Sequence, residues 1–385
     1  MTANDPHDDL FHNPDYDKLI TQASPALQRY IRTLEMENVR LRQELLELRQ
    51  STVRRQRVEA AVRERSADPA ASQLTTPRHP DDVQVVTITS RGLAKRTSLN
   101  DYTTQRRGGI GVFDILAPRE DPVAHLFVTR ATAALLLLSN RGRAFRLPLD
   151  TVPLTEVRGR GASLPERLLF TADESIAAVL PLDDDDPRTT VLIATEAGWL
   201  RTLHRNYVGP RLQPGTLLSD PHRGGPPAAM TLSNGASDVL MVLRSGAGYR
   251  FSERQVGRDG VRGIQARPDD RVVGVVSVRS DEDHVLLVTA DGQGTRRQMA
   301  GFAANKTPGG QGKAIMKTDA LVGAVALNAG DEALCISGLA KIIRFAADEV
   351  PAKTGNVQGV AVLDTRGDTL AALAAIPAPI HETNA

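Results

Sequence analysis

The chain contains one cysteine, Cys335, so no disulfide can form within it. Aromatic residues make up only 4% of the composition, and no apolar run approaches the length that crosses a bilayer as a helix. The first ten residues are polar and acidic, unlike a secretory signal. These absences argue against a disulfide-rich secreted domain and a helical membrane protein. We therefore expect a cytoplasmic protein without a membrane partner.

What is present is an ordinary globular composition in a chain of 385 residues, with 41% hydrophobic and 24% charged residues. This length suggests two or three domains, each large enough to bury a core. The 47 basic and 46 acidic residues nearly cancel, which gives a formal net charge of +1. A strongly basic surface can therefore arise only if the fold sorts the two signs onto different faces.

A heptad pattern near the N-terminus predicts a parallel dimeric coiled coil. Ser24 followed by Pro25 is a favourable helix start, because serine caps the first turn and proline fits within it. Asn38 occupies an a position, where a single asparagine selects two parallel strands in register. The alternative is an amphipathic helix packed on its own globular domain. The predicted dimer seam consists of Leu27, Ile31, Leu34, Asn38, Leu41, Leu45 and Leu48.

From residue 83 onward, one unit recurs six times. Each unit begins with an apolar strand, turns at a glycine and continues as a strand that carries a basic residue. The turn glycines stand 50, 56, 48, 46 and 46 residues apart. The first and sixth units share the sequence Gly-Leu-Ala-Lys, at 92–95 and 338–341. The predicted turn glycines are Gly92, Gly142, Gly198, Gly246, Gly292 and Gly338.

A second glycine turn follows in every unit, at Gly111, Gly161, Gly215, Gly263, Gly312 and Gly359. Six units of four short strands are typical of a closed propeller, whose ring hides the sheet edges that would otherwise promote aggregation. An open β-solenoid is the alternative, but its rungs would be shorter than these units. We predict an all-β six-bladed propeller preceded by an α-helical coiled coil. The predicted order is a disordered tail at 1–23, the coiled coil at 24–65, a linker at 66–82, the propeller at 83–378 and a tail at 379–385.

Two arginines and three glycines lie together in the stretch Gln105-Arg106-Arg107-Gly108-Gly109-Ile110-Gly111. Glycine lets a backbone come close to another surface, and arginine binds phosphate through a planar fork of donors. The stretch, called the box loop below, therefore predicts contact with a polyanion through all of its residues except Ile110. The alternative is a glycine turn with solvated arginines. The predicted DNA contacts outside the box loop are the strand cations Lys95, Arg96, Arg146, Arg201, Arg250, Arg296 and Lys341.

With the repeat and the box loop in view, the segment from Val83 to Ile376 resembles the C-terminal domain of gyrase A, the DNA-cleaving chain of DNA gyrase, and its topoisomerase IV counterpart. The family motif reads Gln-Arg-Arg-Gly-Gly-Lys-Gly, and six of its seven positions match the box loop. Lys95-Arg96-Thr97 upstream of the loop and Tyr102 just before it also agree. The resemblance implies a six-bladed β-pinwheel that wraps duplex DNA around its basic outer rim and so sets the handedness of a DNA crossing.

Two departures from the family pattern matter. Ile110 stands where the family has lysine, which removes one phosphate-facing charge and weakens the expectation of strong wrapping. Gyrase A also carries a cleavage domain with a nucleophilic tyrosine ahead of its pinwheel, whereas a predicted tail, zipper and linker precede it here. Tyr16 and Tyr30 have no winged-helix context for DNA cleavage, so we expect that this chain is not itself an enzyme.

Other chemical patterns are weak. The eight histidines are scattered and are not spaced as metal ligands, so we expect no metal and no cofactor. The glycine-rich stretch at 309–314 lacks the first glycine and the magnesium-binding hydroxyl of a phosphate loop. The four aspartates at 183–186 could chelate a cation, but we interpret them as a solvated loop that repels DNA locally. Trp199 alternates with strand residues, which favours packing over base stacking.

These patterns favour a protein that binds double-stranded DNA through one cation per blade, without reading its sequence. A homodimer formed by the N-terminal helix would hold two propellers and could bridge two DNA segments. One alternative is a protein-interaction propeller, with a type II topoisomerase as a candidate partner. Another is a decayed gyrase A paralogue that has kept the fold and lost wrapping.

Overall fold

The computed structural model describes residues 24, 25, 27, 28, 31, 82–168, 170, 171 and 173–378. The chain divides into an N-terminal region, Met1–Gln73, and a propeller region, Leu74–Ala385. In the N-terminal region, Ser24 caps a helical start, because its Oγ accepts a hydrogen bond from the Leu27 N–H at 3.4 Å. The predicted coiled coil otherwise lies outside the described residues, except for the helical backbone at Pro25, Gln28 and Ile31. Within the described part of the chain, no helix is long and apolar enough to cross a membrane.

Short strands are the main regular elements of the described part of the propeller region. In chain order they are β1 Val83–Thr89, β2 Leu93–Ser98, β3 Val112–Phe113, β4 Ile115–Leu116, β5 Val123–Arg130, β6 Ala134–Ser139, β7 Arg143–Pro148, β8 Gly159–Arg160, β9 Ala162–Ser163, β10 Ile176–Leu182, β11 Thr190–Thr195, β12 Trp199–His204, β13 Thr216–Leu217, β14 Pro227–Ser233, β15 Asp238–Leu243, β16 Ala247–Ser252, β17 Val261–Arg262, β18 Val272–Val278, β19 His284–Thr289, β20 Gln293–Gln298, β21 Lys313–Ala314, β22 Leu321–Ala326, β23 Glu332–Ser337, β24 Lys341–Ala346, β25 Ala352–Lys353, β26 Val360–Ala361 and β27 Leu370–Ile376. One turn of 3-10 helix follows each hairpin, at Leu99–Asp101, Leu149–Thr151, Arg205–Val208, Glu253–Gln255, Met299–Gly301 and Ala347–Glu349, and another lies at Pro221–Arg223.

The strands form six blades that share one order: an inner strand, a hairpin of two strands, and a two-residue strand at the outer edge. The prediction of a six-bladed all-β propeller is therefore confirmed. A small parallel pair, β4 with β8, lies outside the blades. From blade one to blade six the orders are β5-β1-β2-β9, β10-β6-β7-β13, β14-β11-β12-β17, β18-β15-β16-β21, β22-β19-β20-β25 with β26 also on β20, and β27-β23-β24-β3.

The inner strands close a ring. Each contacts the inner strand of the next blade, and β27 of blade six contacts β5 of blade one. Together they line a central channel of about 580 Å³. Its wall is formed largely by small apolar residues, such as Ala177, Val179, Ala228, Val273 and Val322.

The hydrophobic core is divided into clusters that lie between neighbouring blades. Val86 and Ile88 of blade one pack with Leu135 and Leu137 of blade two, and all four are fully buried. The first hairpin strand of a blade is covered on both faces, which is why β6 (Ala134–Ser139) is an unbroken apolar run ending in one serine rather than an alternating strand. Blade-to-blade packing thus accounts for the apolar strand that opens each unit.

No unit completes its own blade. The outer strand of blade one, β9, comes from the second unit, where Ser163 pairs with Leu93. Blade six is completed by β3 of the first unit, where Phe113 pairs with Lys341. The ring therefore closes by inserting the beginning of the propeller into its last blade.

A second link between neighbouring units comes from an arginine in the second hairpin strand. In blade six, the guanidinium of Arg344 donates to the carbonyl oxygens of Leu99 and Tyr102, at 3.3 and 3.0 Å. Leu99 begins the 3-10 turn of the first unit, and Tyr102 directly follows it. Arg344 is 1% exposed and forms a buried ion pair with Glu332, whose Oε2 lies 2.5 Å from Nη2. We call this position the staple. By strand register it is occupied by Arg96, Arg146, Thr202, Arg250, Arg296 and Arg344.

Two predicted turn positions are wrong. The hairpin glycines of blades one to five have φ between +74° and +91°, but in blade six the residue with positive φ is Ala340, at +64°. The residue with positive φ in this turn is therefore two positions beyond Gly338, and the shared Gly-Leu-Ala-Lys sequences are not structurally equivalent. In the fourth unit, the glycine with positive φ is Gly260, which directly precedes the outer strand β17. The predicted turn glycine, Gly263, follows that strand and does not have a positive φ.

We predict that Arg344→Met lowers the free energy of unfolding by about 3–5 kcal/mol, because Glu332 would remain as a buried charge without its cationic partner. Urea denaturation followed by circular dichroism measures this change. The double variant Glu332→Gln/Arg344→Met should recover part of the loss, since it removes both charges.

The matched control is Arg106→Met, which removes an exposed arginine. It should change the free energy of unfolding by less than about 0.5 kcal/mol. If Arg344→Met destabilised the protein no more than this control, the staple would not hold the ring closed.

Candidate nucleic-acid interface

The box loop lies where the ring closes. The Gln105 N–H donates to the carbonyl oxygen of Arg344 at 2.8 Å, and the Gly108 N–H donates to that of Val362 at 2.8 Å. The Asp364 N–H donates in turn to the Gly109 carbonyl oxygen at 2.9 Å. Backbone hydrogen bonds therefore fix this loop of the first unit against the sixth.

The glycines of the box loop allow this close contact. Gly108 and Gly111 have φ of +76° and +71°, a region that favours glycine. A Cβ at Gly111 would lie 2.5 Å from the carbonyl oxygen of Ile342 in β24. Any other residue at Gly111 would push the loop away from blade six.

The two arginines of the box loop have different surroundings. Arg107 is half-buried, and its guanidinium donates to the carbonyl oxygens of Glu349 at 2.7 Å and Ala361 at 2.9 Å. Arg106 is exposed and makes no side-chain hydrogen bond or ion pair with the residues that the structure describes. Arg107 thus helps to hold the loop, whereas Arg106 offers its charge to solvent. Ile110, where the family has lysine, is 48% exposed.

Lys95, a predicted DNA contact, is buried. It is 1% exposed, and its Nζ lies 2.9 Å from Oδ1 of the buried Asp114. The ammonium also donates to Thr97 Oγ1 at 2.7 Å and to the Glu156 carbonyl oxygen at 3.1 Å. Burial lowers the pKa of Lys95, and the Asp114 carboxylate opposes that shift. Because the ammonium is enclosed and fully bonded, the expectation that it contacts phosphate is corrected.

Tyr102, the family residue before the box loop, belongs to the same buried cluster. Its hydroxyl donates to Asp114 Oδ1 at 2.5 Å, and Thr87 Oγ1 donates to Oδ2 at 2.6 Å. Burial and the neighbouring carboxylate both raise the pKa of Tyr102. The cluster anchors the segment that follows the box loop.

Most of the other predicted strand cations are staples. The Arg250 guanidinium donates to the carbonyl oxygens of Met299 and Phe302, at 3.0 and 3.2 Å, and that of Arg96 to Val152 at 2.7 Å. These carbonyls belong to the next unit, at a 3-10 turn, as they do for Arg344.

The staple of blade five uses a carboxylate instead. Arg296 donates to Asp348 Oδ1 at 2.8 Å, and this hydrogen bond lowers the pKa of Asp348. Arg250 and Arg296 are 4% and 8% exposed, so these two do not present charge to DNA. Their expected DNA contact is corrected, because their partners are the blades themselves.

The remaining strand cations are only half-buried. The Nε of Arg146 is buried without a hydrogen-bond partner among the described residues. Arg201 does not occupy the staple position, and its Nη1 donates to the Leu218 carbonyl oxygen at 2.8 Å. Lys341 was predicted as the cation of blade six, but the staple there is Arg344, which the shifted turn concealed in the sequence.

A second set of cations, distinct from the strand cations, lies in the turns that precede the outer strands and in those strands themselves. All are exposed, and none makes a side-chain hydrogen bond or an ion pair with another described residue. Every unit contributes at least one, and each lies within six residues of its unit's second turn glycine. Closeness to these glycines is therefore a signal for these residues in the sequence, and the prediction of strand cations did not include it. These rim cations are Arg106, Arg158, Arg160, Arg211, Arg258, Arg262, Lys306, Lys313 and Lys353.

Acidic groups are fewer in these turns. Glu156 and Asp259 are exposed near rim cations. The aspartates at 183–186 lie in a loop where Asp184 and Asp185 are exposed, as expected. Arginines nevertheless contact this loop, because Arg130 lies 3.0 Å from Asp185 and Arg205 bonds two backbone carbonyls of the run. Among the described residues, no cluster of His, Cys, Asp or Glu could hold a metal ion.

Four stretches of the chain match the family model described as the DNA gyrase C-terminal domain, a β-propeller, at residues 84–130, 133–162, 238–279 and 331–377. The gyrase A protein of Salmonella typhimurium is 30% identical over 294 residues, which cover 74% of this chain and 33% of the relative. That of Mycolicibacterium smegmatis is 29% identical over 304 residues, or 75% of this chain and 36% of the relative. The chain spans about a third of the length of these curated relatives.

Solved structures show the same fold. The DNA gyrase A C-terminal domain superposes with a TM-score of 0.68 at 21% identity, covering 77% of this chain and 100% of that one. The C-terminal domain of DNA topoisomerase IV gives 0.54 at 18% identity, covering 78% and 95%. In sequence and in fold, the propeller is similar to the C-terminal domain of DNA gyrase A.

Proposed function

We propose that the propeller binds double-stranded DNA along its outer edge without reading base sequence. The observation that carries this proposal is the set of rim cations, which recur in all six units, are exposed and are not neutralised by acids among the described residues. Phosphates are the ligands that isolated guanidinium and ammonium groups of this kind attract, and such contacts carry no base information.

The site residues differ from those expected from the sequence. Arg106 remains a proposed phosphate contact, and the other rim cations join it. The box loop residues Gln105, Arg107, Gly108, Gly109 and Gly111 contribute by fixing the loop at the ring closure. Lys341 and Arg201 are half-buried beside the outer strands and are secondary candidates.

We further propose that the duplex wraps around the edge and that the protein acts as an accessory to a type II topoisomerase. Smooth bending of a site of 20–30 base pairs costs about 1–6 kcal/mol, which many phosphate contacts must offset. A closed ring with cations in every unit can supply contacts along a continuous arc. The likeness of the propeller to the gyrase A C-terminal domain supports this proposal.

Duplex affinity should fall steeply with salt. Contact of each of the nine rim cations with one phosphate would give a slope of log K against log salt of about −8, because each neutralised phosphate releases counterions. Arg158→Ala/Arg160→Ala should weaken binding to all duplex sequences alike and make this slope shallower by about 2. Fluorescence anisotropy of a labelled duplex across a salt titration measures both changes.

Arg188→Ala/Arg279→Ala serves as the matched control, because it removes the same formal charge from exposed arginines that are paired with Asp186 and Asp283. It should leave the slope unchanged. A wild-type slope near zero would refute DNA binding, and equal effects of the two double variants would refute the assignment to the rim.

Wrapping can be tested separately from binding by measuring the linking number of a plasmid. Relaxing a plasmid with an unrelated topoisomerase in the presence of the protein should shift the mean linking number progressively as protein is added. The shift should be larger for Ile110→Lys, since this exposed position would gain a phosphate-facing charge. A linking number that stays constant while duplex binding is detected would contradict wrapping and leave binding alone.

A second candidate function is protein docking. Three apolar residues at the ring closure are about half exposed: Ile110 at 48%, Phe113 at 49% and Leu116 at 56%. Such exposed groups are used in protein interfaces. On this reading, Ile110→Lys would disrupt partner capture and would not strengthen DNA binding.

We also propose a parallel homodimer through the N-terminal seam, supported by the heptad pattern with Asn38. Leu41→Lys at a d position should shift the protein from dimer to monomer in sedimentation equilibrium. Gln43→Lys, which places the same residue at an outward f position, should leave the dimer intact. A wild-type protein that sediments as a monomer would contradict the proposal.

A further inference from the structure

The single tryptophan of the chain lies between two clefts of blade three. Trp199 begins β12, where it pairs across the strands with Arg262 of the outer strand β17. One cleft has a volume of about 230 Å³ and the other about 250 Å³, and Trp199 lines both. The sequence favoured packing for this residue, and in the structure it is half-buried while lining both clefts.

Arginines surround the indole. The first cleft is lined by Arg201, Arg223 and Arg258, and the second by Arg223, Arg262 and His222. Two carboxylates, Asp220 and Asp259, also line the first cleft, and Asp220 lies 4.0 Å from the Arg223 Nε. Cations therefore outnumber acids in both clefts. The buried Nε of Arg201 has no hydrogen-bond partner among the described residues.

Two glycines border the indole. Gly260 and Gly224 have φ of +81° and +133°, so other residues would be strained there. A Cβ at Gly260 would lie 2.5 Å from Nε1 of Trp199, and one at Gly224 would lie 2.9 Å from the Cβ of Trp199. No side chain from these two positions covers the tryptophan, and the clefts beside it stay open.

We propose that blade three carries a second nucleic-acid site, specific for single-stranded DNA, in which an unpaired base stacks on Trp199 and the surrounding arginines hold the flanking phosphates. Paired bases in a duplex show only their edges in the grooves, so an indole can stack only on a base that is free of its partner. An aromatic platform inside a basic groove is the arrangement that binds single strands without sequence preference. This proposal rests on the proposed function only because the two sites share the rim cations Arg258 and Arg262.

Because Trp199 is the only tryptophan, its fluorescence reports on this site alone. A short oligothymidylate should quench it saturably. Trp199→Ala should weaken oligothymidylate binding about tenfold, measured by anisotropy of a labelled strand, and Trp199→Phe should weaken it less, since phenylalanine still stacks. Arg223→Ala, which keeps the tryptophan, should weaken binding and make the salt slope shallower by about 0.7.

Duplex binding at the rim and single-strand binding at blade three can be refuted independently of each other. Trp199→Ala should leave duplex affinity unchanged within about twofold, and Arg158→Ala/Arg160→Ala should leave the quenching by oligothymidylate unchanged. Absence of quenching, or wild-type oligothymidylate affinity in both Trp199→Ala and Arg223→Ala, overturns the blade-three site whatever the duplex result. Saturable quenching in a protein that does not bind duplex overturns the proposed function and supports this site.

Discussion

Each blade of this propeller depends on the next unit for its outer strand, and the staples of blades one, four and six also bind carbonyl groups of that unit. The dependence is most demanding at the ring closure, where Arg344 bonds Leu99 across 245 residues of chain. Closing so long a loop costs conformational entropy, and in a closed ring only the first unit adjoins blade six on that side. The buried ion pair with Glu332 lies within blade six, where it offsets the cost of burying the Arg344 guanidinium that reaches across the closure.

The position of the box loop gives its residues two separate roles. Its glycines and Arg107 are committed to the contact between the first and last units, through a carbonyl approach at Gly111 and hydrogen bonds to Glu349 and Ala361. Arg106 and Ile110 are exposed and are free to meet a ligand. The loss of the family lysine at Ile110 is therefore compatible with an intact fold, since the position takes no part in closing the ring.

The fold was predictable because its signals are local: apolar strands, glycine turns and their spacing. The burial of each strand cation was not predictable, because it depends on partners distant in sequence, such as Tyr102 for Arg344 and Met299 for Arg250. The turn at Ala340 shows the same limit, since a non-glycine residue adopted positive φ within an otherwise regular repeat. The rim cations could have been found from their closeness to the second turn glycines. Their lack of acidic partners could not, because it is a property of the assembled surface.

The two sets of cations differ in chemistry in a way that matches their surroundings. The staple position holds threonine in blade three and arginine in the other five blades, with no lysine, whereas the rim holds both arginine and lysine. A staple must bond several fixed carbonyl and carboxylate oxygens at once, which requires the planar fork of a guanidinium. A rim contact with a phosphate on a mobile duplex requires only a positive charge at about the right place. The composition of the two sets is thus what structural and electrostatic selection would each produce.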